Sequence, residues 1–261
     1  MSELPSSAVE AAALAAAGWV RSALAPDAAA ATHHWRGDGP VGELEARLRA
    51  HYSVPCALSM SSATNALLAL ALAYDLAGQE IILPPQSYGA TYGPFAWLGC
   101  RLLLADADAD GNLCPMSVRK KMTRQTRAVL ATDFKGRPHD HRSIRDLCTQ
   151  NHCLYITDAA CTHPASMRDG RLAGSLSDAW VISFGMGKPL PAGEGAAVMT
   201  RDRGLYEKLL HLTQHPERWR REVSLSGWNA SPFLNGRLHP LAAVIACVLF
   251  DQSGPRKDCR K

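Results

Sequence analysis

Lys188 lies in the stretch Ser183-Phe184-Gly185-Met186-Gly187-Lys188, behind an apolar run at 179–182 and ahead of the turn Pro191-Ala192-Gly193-Glu194-Gly195. An amine held on a loop at the end of a buried strand attacks an aldehyde once it has given up its proton, which is Schiff-base chemistry. Asp158 closes a second apolar run, Leu154-Tyr155-Ile156-Thr157, where a carboxylate needs a partner. Set against a pyridine nitrogen, it would keep that nitrogen protonated and make the ring an electron sink. Ser62-Ala63-Thr64 follows a third apolar run and opens a helical one. Backbone N–H groups, hydroxyls and the positive end of the helix dipole make such a start an anion site. Amine, acid and anion cradle together point to pyridoxal 5'-phosphate (PLP).

Each signal also has an ordinary structural reading. Ser62 can simply cap a helix. Asp158 can cap the next turn, and Lys188 can be a surface lysine in a glycine-rich loop. Tyr88, just after Pro84-Pro85-Gln86-Ser87, can stack on a planar ring or pack in the core. Ser183 can donate to a phosphate oxygen or end its strand. Gly187-Lys188 is not a phosphate-binding P-loop, because position 182 is Ile and Pro189 stands where Ser or Thr is required. The argument therefore rests on their joint occurrence in one order.

The surrounding pattern says how these residues are brought together. Short apolar runs at 57–60, 81–83, 101–104, 128–132, 153–157, 179–184 and 196–200 read as strands. Helical patterns occupy 43–52, 64–74, 89–98, 115–122, 141–150, 203–213 and 240–250, with Leu44 and Leu48 marking one buried face. Such alternation predicts an α/β fold, a three-layer α/β/α sandwich around a mainly parallel mixed sheet. Ligands of such sheets sit at the carboxyl ends of the strands. Ser62 to Thr64, Tyr88, Asp158, Ser183 and Lys188 all fall there, so one crevice is expected to hold them. The stretch 220–235 is the least regular part of the second half.

Composition narrows the class. A chain of 261 residues with 47% hydrophobic and 20% charged residues is ordinary for a globular protein. The net charge is only +4 and the basic residues are scattered, so no nucleic-acid partner is expected. The cluster at 218–221 and the tail at 256–261 read as solvated surface. The eight cysteines form no CxxC pair, and His152-Cys153 with Cys161 and His163 matches no standard zinc module, so no metal is expected. Reduced thiols imply the cytoplasm. The alanine-rich run at 8–20 lacks the basic start of a signal peptide, and Ser7-Ala8-Val9-Glu10 reads as a capping box opening a helix. The run at 241–250 is too short to cross a bilayer, so no membrane contact is expected.

From about residue 37 to 250 the chain resembles the DegT/StrS family of PLP-dependent aminotransferases, which often place amino groups on nucleotide-linked sugars. The stretches that carry the resemblance are Gly42-Glu43-Leu44-Glu45, Ser62-Ala63-Thr64-Asn65-Ala66-Leu67 and Glu80-Ile81-Ile82-Leu83-Pro84. Further on they are Thr126-Arg127-Ala128-Val129, Gly136-Arg137-Pro138-His139-Asp140, Asp158-Ala159-Ala160, the block at 183–188, Gly193-Glu194-Gly195 and Asn235-Gly236-Arg237-Leu238 with Ala242-Ala243. The resemblance implies the large domain of a fold-type-I PLP enzyme and a homodimer with active sites at the interface. It implies that Lys188 bonds the cofactor aldehyde, that Asp158 pairs with the pyridine nitrogen and that Tyr88 stacks on the ring. It further implies that Ala63, Thr64 and Ser183 hold the phosphate and that Asn235 reaches the phosphate of the partner's cofactor. Relatives that act as dehydratases replace the lysine with histidine, so Lys188 favours transamination.

Three departures accompany the resemblance. Cys161 stands where the family usually has a glutamine that contacts the cofactor's ring hydroxyl. Gly195-Ala196 replaces the usual pair of glycines. Family members also continue into a small C-terminal domain, which leads to the expectation of an N-terminal helical extension at 1–36, a PLP-binding domain at 37–250 and a basic tail at 251–261. The activity expected is transfer of an amino group from an amino-acid donor to a keto-sugar or related ketone. Alternatives are a non-catalytic or accessory partner protein, with a second chain supplying the absent domain, and a non-transaminating PLP enzyme.

Overall fold

Seven short strands build the sheet, and apart from one exposed edge strand most of their residues are buried. They are β1 (Cys56–Met60), β2 (Glu80–Leu83), β3 (Arg101–Leu104), β4 (Thr126–Thr132), β5 (Leu154–Asp158), β8 (Ala179–Ser183) and β9 (Ala196–Thr200); β6 (Met167–Arg168) and β7 (Arg171–Leu172) form a separate small hairpin. Strands covered on both sides read as continuous apolar runs rather than alternations, which is why they were visible in the sequence. The computed structural model describes residues 5–25, 35–223 and 234–252.

The strand order is β1-β9-β8-β5-β4-β2-β3. The run β8-β5-β4-β2-β3 is parallel, and β9 is antiparallel to both of its neighbours. Six of the seven strands therefore end on the same edge. The fold is the α/β sandwich expected from the alternation.

Helices cover both faces. On one side lie α3 (Ala63–Ala73), α4 (Gly89–Trp97) and α7 (Arg203–Thr213), packed on Leu58, Ile81, Leu130, Ile156 and Val181. On the other side α1 (Ser6–Ala23), α2 (Pro40–Tyr52) and α9 (Pro240–Gln252) pack over Trp180, Ile182 and Met199. Next to them α5 (Pro115–Lys121) and α6 (His141–Gln150) cover Ile82, Val129 and Tyr155. Successive residues of β8 alternate between the two cores, as the pleat requires.

Element ends differ from the sequence pattern. Helix α1 begins at Ser6 with Pro5 at its cap and no side-chain cap bond, so the expected box at Ser7 does not form. Helix α2 starts at Pro40, three residues early, because proline in a first turn forfeits no helical bond. The hairpin β6–β7 and the short helix α8 (Pro216–Glu222) were not anticipated.

The basic cluster at 218–221 needs correcting. Arg218 is only 2% exposed. Its Nη2 lies 2.6 Å from Glu45 Oε2 and its Nε 3.1 Å from Glu222 Oε1. Glu45 Oε1 also accepts from the Ser59 amide at 2.9 Å and the Ser59 hydroxyl at 2.8 Å. One ion pair thus ties α2, β1 and α8 together. A run of four residues with three arginines looks like solvated surface until the partner, 173 residues away in the chain, is seen.

Candidate functional site

The loop between β8 and β9 is a tight hairpin. Phe184, fully buried, anchors it: its amide donates to Gly195 O and its carbonyl accepts from Ala192, both at 2.8 Å. Met186 N donates to Gly193 O at 3.1 Å, and Lys188 N donates to Gly185 O at 3.1 Å. Gly195 has φ +143°, and a Cβ there would come within 2.4 Å of Leu238. Only glycine satisfies both conditions. The hairpin thus holds Lys188 by backbone bonds, with the amine at the sheet's carboxyl edge.

The Lys188 amine donates to Cys161 Sγ at 3.2 Å. Cys161 belongs to the turn that follows Asp158 at the end of β5. The Asp158 carboxylate is half-buried; its Oδ2 accepts from the Thr91 hydroxyl at 2.7 Å and its Oδ1 from the Ala160 amide at 3.0 Å. Burial raises its pKa above the ordinary carboxylate value, opposed by the Thr91 and Ala160 hydrogen bonds and by the Lys188 charge. The Lys188 charge therefore bears on the acid electrostatically without pairing with it in a salt bridge among the described residues.

The turn carrying Cys161 is fastened from below. Thr162 Oγ1 donates to Asp133 Oδ2 at 3.0 Å, and Asp133 N donates to Asp158 O at 3.2 Å. Gly136, at φ +78°, passes so close that a Cβ would lie 2.6 Å from Cys161 O.

The remaining residues sit around this centre. Ser62 caps α3, its hydroxyl accepting from Asn65 N at 3.1 Å, and Ala63 and Thr64 form the first turn of that helix. The first amides of a helix lack intrahelical partners, so the anion cradle is of the right construction, although Ser62's own oxygen is already engaged. Helix α3 packs over β8 and β9, and at the end of β8 the Ser183 hydroxyl accepts from Gly185 N at 3.2 Å. The segment 235–237 lies against the end of β1, with Ser61 N donating to Gly236 O at 2.7 Å, which puts exposed Asn235 beside the start of α3. Tyr88 caps α4 one turn before Thr91 and is 79% exposed; Met186, in the Lys188 hairpin, is 75% exposed.

The crevice expected at this edge is open to solvent at Tyr88 and Met186 within a single chain. A cleft of about 620 Å³ does exist, but at the opposite end of the sheet, lined by Tyr74, Arg145, Asp178, Arg201 and their neighbours, and it contains none of these residues. The pattern His152-Cys153 with Cys161 and His163 is split between the two ends of β5, five residues apart and therefore about 16 Å distant. Thr91 was missed by sequence reasoning. Its only signal was its place one turn after Tyr88 in a helix start at a strand's carboxyl end.

Comparison with known proteins gives this cluster its context. Residues 25–252 match the model of the DegT/DnrJ/EryC1/StrS aminotransferase family. The chain belongs to this family. Among its curated relatives, dTDP-3-amino-3,4,6-trideoxy-alpha-D-glucose transaminase of Streptomyces venezuelae is 32% identical over 71% of this chain and 50% of that protein. The spore coat polysaccharide biosynthesis protein SpsC of Bacillus subtilis is 29% identical over 74% of this chain and 51% of its own length. Among solved structures, DesI with its TDP-sugar product superposes with a TM-score of 0.77 at 30% identity, covering 92% of this chain and 58% of DesI. The chain spans about half the length of the curated relatives it matches.

Aminotransferases of the DegT/DnrJ/EryC1/StrS family are PLP-dependent. The donor set here fits that cofactor: a half-buried carboxylate with raised affinity for a proton, a primary amine in its field, and a helix start at anion-binding position.

Proposed function

We propose that this chain works as a PLP-dependent aminotransferase, moving an amino group from an amino-acid donor to a keto-sugar or related ketone. The observation that carries the reading is the Lys188 amine held in the field of Asp158 at the carboxyl edge of the sheet. Relatives named as a GDP-perosamine synthase and as dTDP-amino-sugar transaminases support a nucleotide-linked keto-sugar as the acceptor.

PLP, when bound, supplies an aldehyde and an electron-withdrawing ring. The chain's own residues do the rest. Lys188 Nζ would hold the cofactor's aldehyde carbon and would serve as the base that moves a proton at the substrate carbon bearing the amino group. Asp158 keeps the ring nitrogen protonated, and Thr91 with the Ala160 amide fixes the carboxylate's orientation. Ala63, Thr64 and Ser183 hold the phosphate. Cys161, in contact with the Lys188 amine, would be among the residues that hold the cofactor. Tyr88 stacks on the ring.

The exposure of Tyr88 and Met186, at 79% and 75%, supports a homodimer in which a second copy covers this edge and Asn235 acts across the interface. Among the described residues no helix is long and apolar enough to cross a membrane, and we place the enzyme in the cytoplasm. The test is borohydride reduction in the presence of PLP, followed by peptide mass spectrometry. A reduced adduct on Lys188, and bleaching of the unreduced chromophore by an amino donor, are the expected results. A protein that takes up no PLP would instead support the accessory role.

A further inference from the structure

Behind Asp158, on the face of the sheet covered by α5 and α6, four polar side chains are buried together: Asp133, His139, His141 and Tyr155, exposed by 2%, 0%, 7% and 0%. Asp133 Oδ1 lies 2.6 Å from His139 Nδ1 and 3.5 Å from His141 Nε2. The other nitrogens of the two rings converge on one atom, the Tyr155 phenol oxygen: His141 Nδ1 at 2.9 Å and His139 Nε2 in short contact.

We propose that Asp133, His139 and His141 form a buried site for a divalent metal of the zinc class, with Tyr155 as its shared outer-shell partner. With all groups neutral except the carboxylate, the hydrogen bonds admit one consistent arrangement. His139 donates from Nδ1 to Asp133, so its Nε2 accepts from the Tyr155 hydroxyl, and the Tyr155 oxygen accepts from His141 Nδ1. This leaves His141 Nε2 as a bare lone pair. That atom is buried and has no hydrogen-bond partner, and it faces the Asp133 carboxylate. Two acceptors opposed in a dry space are satisfied by a cation between them.

Two imidazoles and a carboxylate are a donor set that zinc accepts. Zinc bonds of about 2.0 Å put tetrahedral ligand atoms about 3.3 Å apart. The Asp133–His141 separation of 3.5 Å already matches, while the Asp133–His139 pair opens by about 0.7 Å to reach it. The proton on His139 then shifts from Nδ1 to Nε2, so no proton is lost. Both rings now donate N–H to the Tyr155 oxygen, the arrangement outer-shell partners give to metal-bound histidines. Tyr155's own proton turns away from the two rings, on the side of the Thr157–Ser177 hydroxyl pair. Bound metal would fasten the loop at 133–141 under the turn that carries Cys161, through the Thr162–Asp133 bond. This site does not depend on the transamination reading.

The test uses the full chain, stripped with chelator, its thiols alkylated, and dialysed against zinc sulfate at micromolar free zinc. Elemental analysis should find one zinc per chain, and Co²⁺ in its place should show d–d bands without thiolate charge transfer. His141→Gln and Asp133→Asn should each lower zinc affinity at least tenfold, while Cys161→Ser leaves it unchanged. Failure of the wild-type chain to retain metal would overturn the site, whatever the variants do. Equal retention by His141→Gln would overturn it as well.

Discussion

The Glu45–Arg218 junction and the Asp158–Lys188 cluster both place a carboxylate and a cation near the end of a strand, yet they are built differently. At the junction every strong group is matched: Glu45 accepts from Arg218 and from the amide and hydroxyl of Ser59, and Arg218 also reaches Glu222, with both side chains 2% exposed. At the cluster, among the described residues, the Lys188 amine has only a cysteine sulfur within hydrogen-bonding distance, and burial holds the Asp158 carboxyl back from ionising. A saturated pair has no capacity left for a ligand. A cluster that keeps an amine and a reluctant acid apart retains that capacity, at a cost to its own stability.

The largest effect expected is at Lys188. Lys188→Ala should abolish the borohydride-trapped adduct, read by mass spectrometry; an adduct that survived would assign the chemistry to another lysine. Asp158→Asn should leave PLP uptake in place and slow the half-reaction with an amino donor by orders of magnitude in stopped-flow absorbance. At the junction the readout is stability instead. Arg218→Ala strands a buried carboxylate and should cost about 3–5 kcal/mol in denaturant melts. Replacing both partners together, Arg218→Met with Glu45→Leu, should recover most of that loss, because apolar neighbours do not need the missing charge.

A smaller effect concerns pH. The folded pKa of Asp158 lies above its unfolded value, so ionisation disfavours the folded state. The penalty is absent below the unfolded pKa and complete above the folded one, so stability of the PLP-free chain should fall as pH rises through that window. Asp158→Asn should remove this part of the slope in urea melts taken across the acid range. A slope unchanged by the substitution would mean that the carboxylate is not desolvated. The smallest effect is expected for Thr91→Val, which removes one hydrogen bond and should shift the same pH dependence while costing about 1 kcal/mol.

Much of this was legible in the sequence. Lys188, Asp158 and Ser62 stood out because each follows an apolar run, and a buried strand leaves few reasons for a charged residue at its end. The layering was legible because both faces of the sheet are covered, which writes each strand as an unbroken apolar stretch. Thr91 was hidden because a threonine near a helix start looks like any other; only the position of Asp158 gives it a role. Tyr88 was found, but its 79% exposure was not foreseen, since an aromatic residue carries no mark of whether something covers it. Asp133, His139 and His141 were passed over because Asp133 stands several positions before the two histidines, and Tyr155 comes from another strand.

Local chemistry and periodicity alone decided the element types, the α/β class and which loops carry reactive groups. These are properties of runs of neighbouring residues, set by backbone geometry and burial. Tertiary structure alone decided which charges meet: Arg218 with Glu45 rather than water, Lys188 with Cys161, and two histidines with one tyrosine and one aspartate. Electrostatic pairing and desolvation depend on distances through space, and residues far apart in the chain acquire those distances only when the sheet brings its strand ends to one edge.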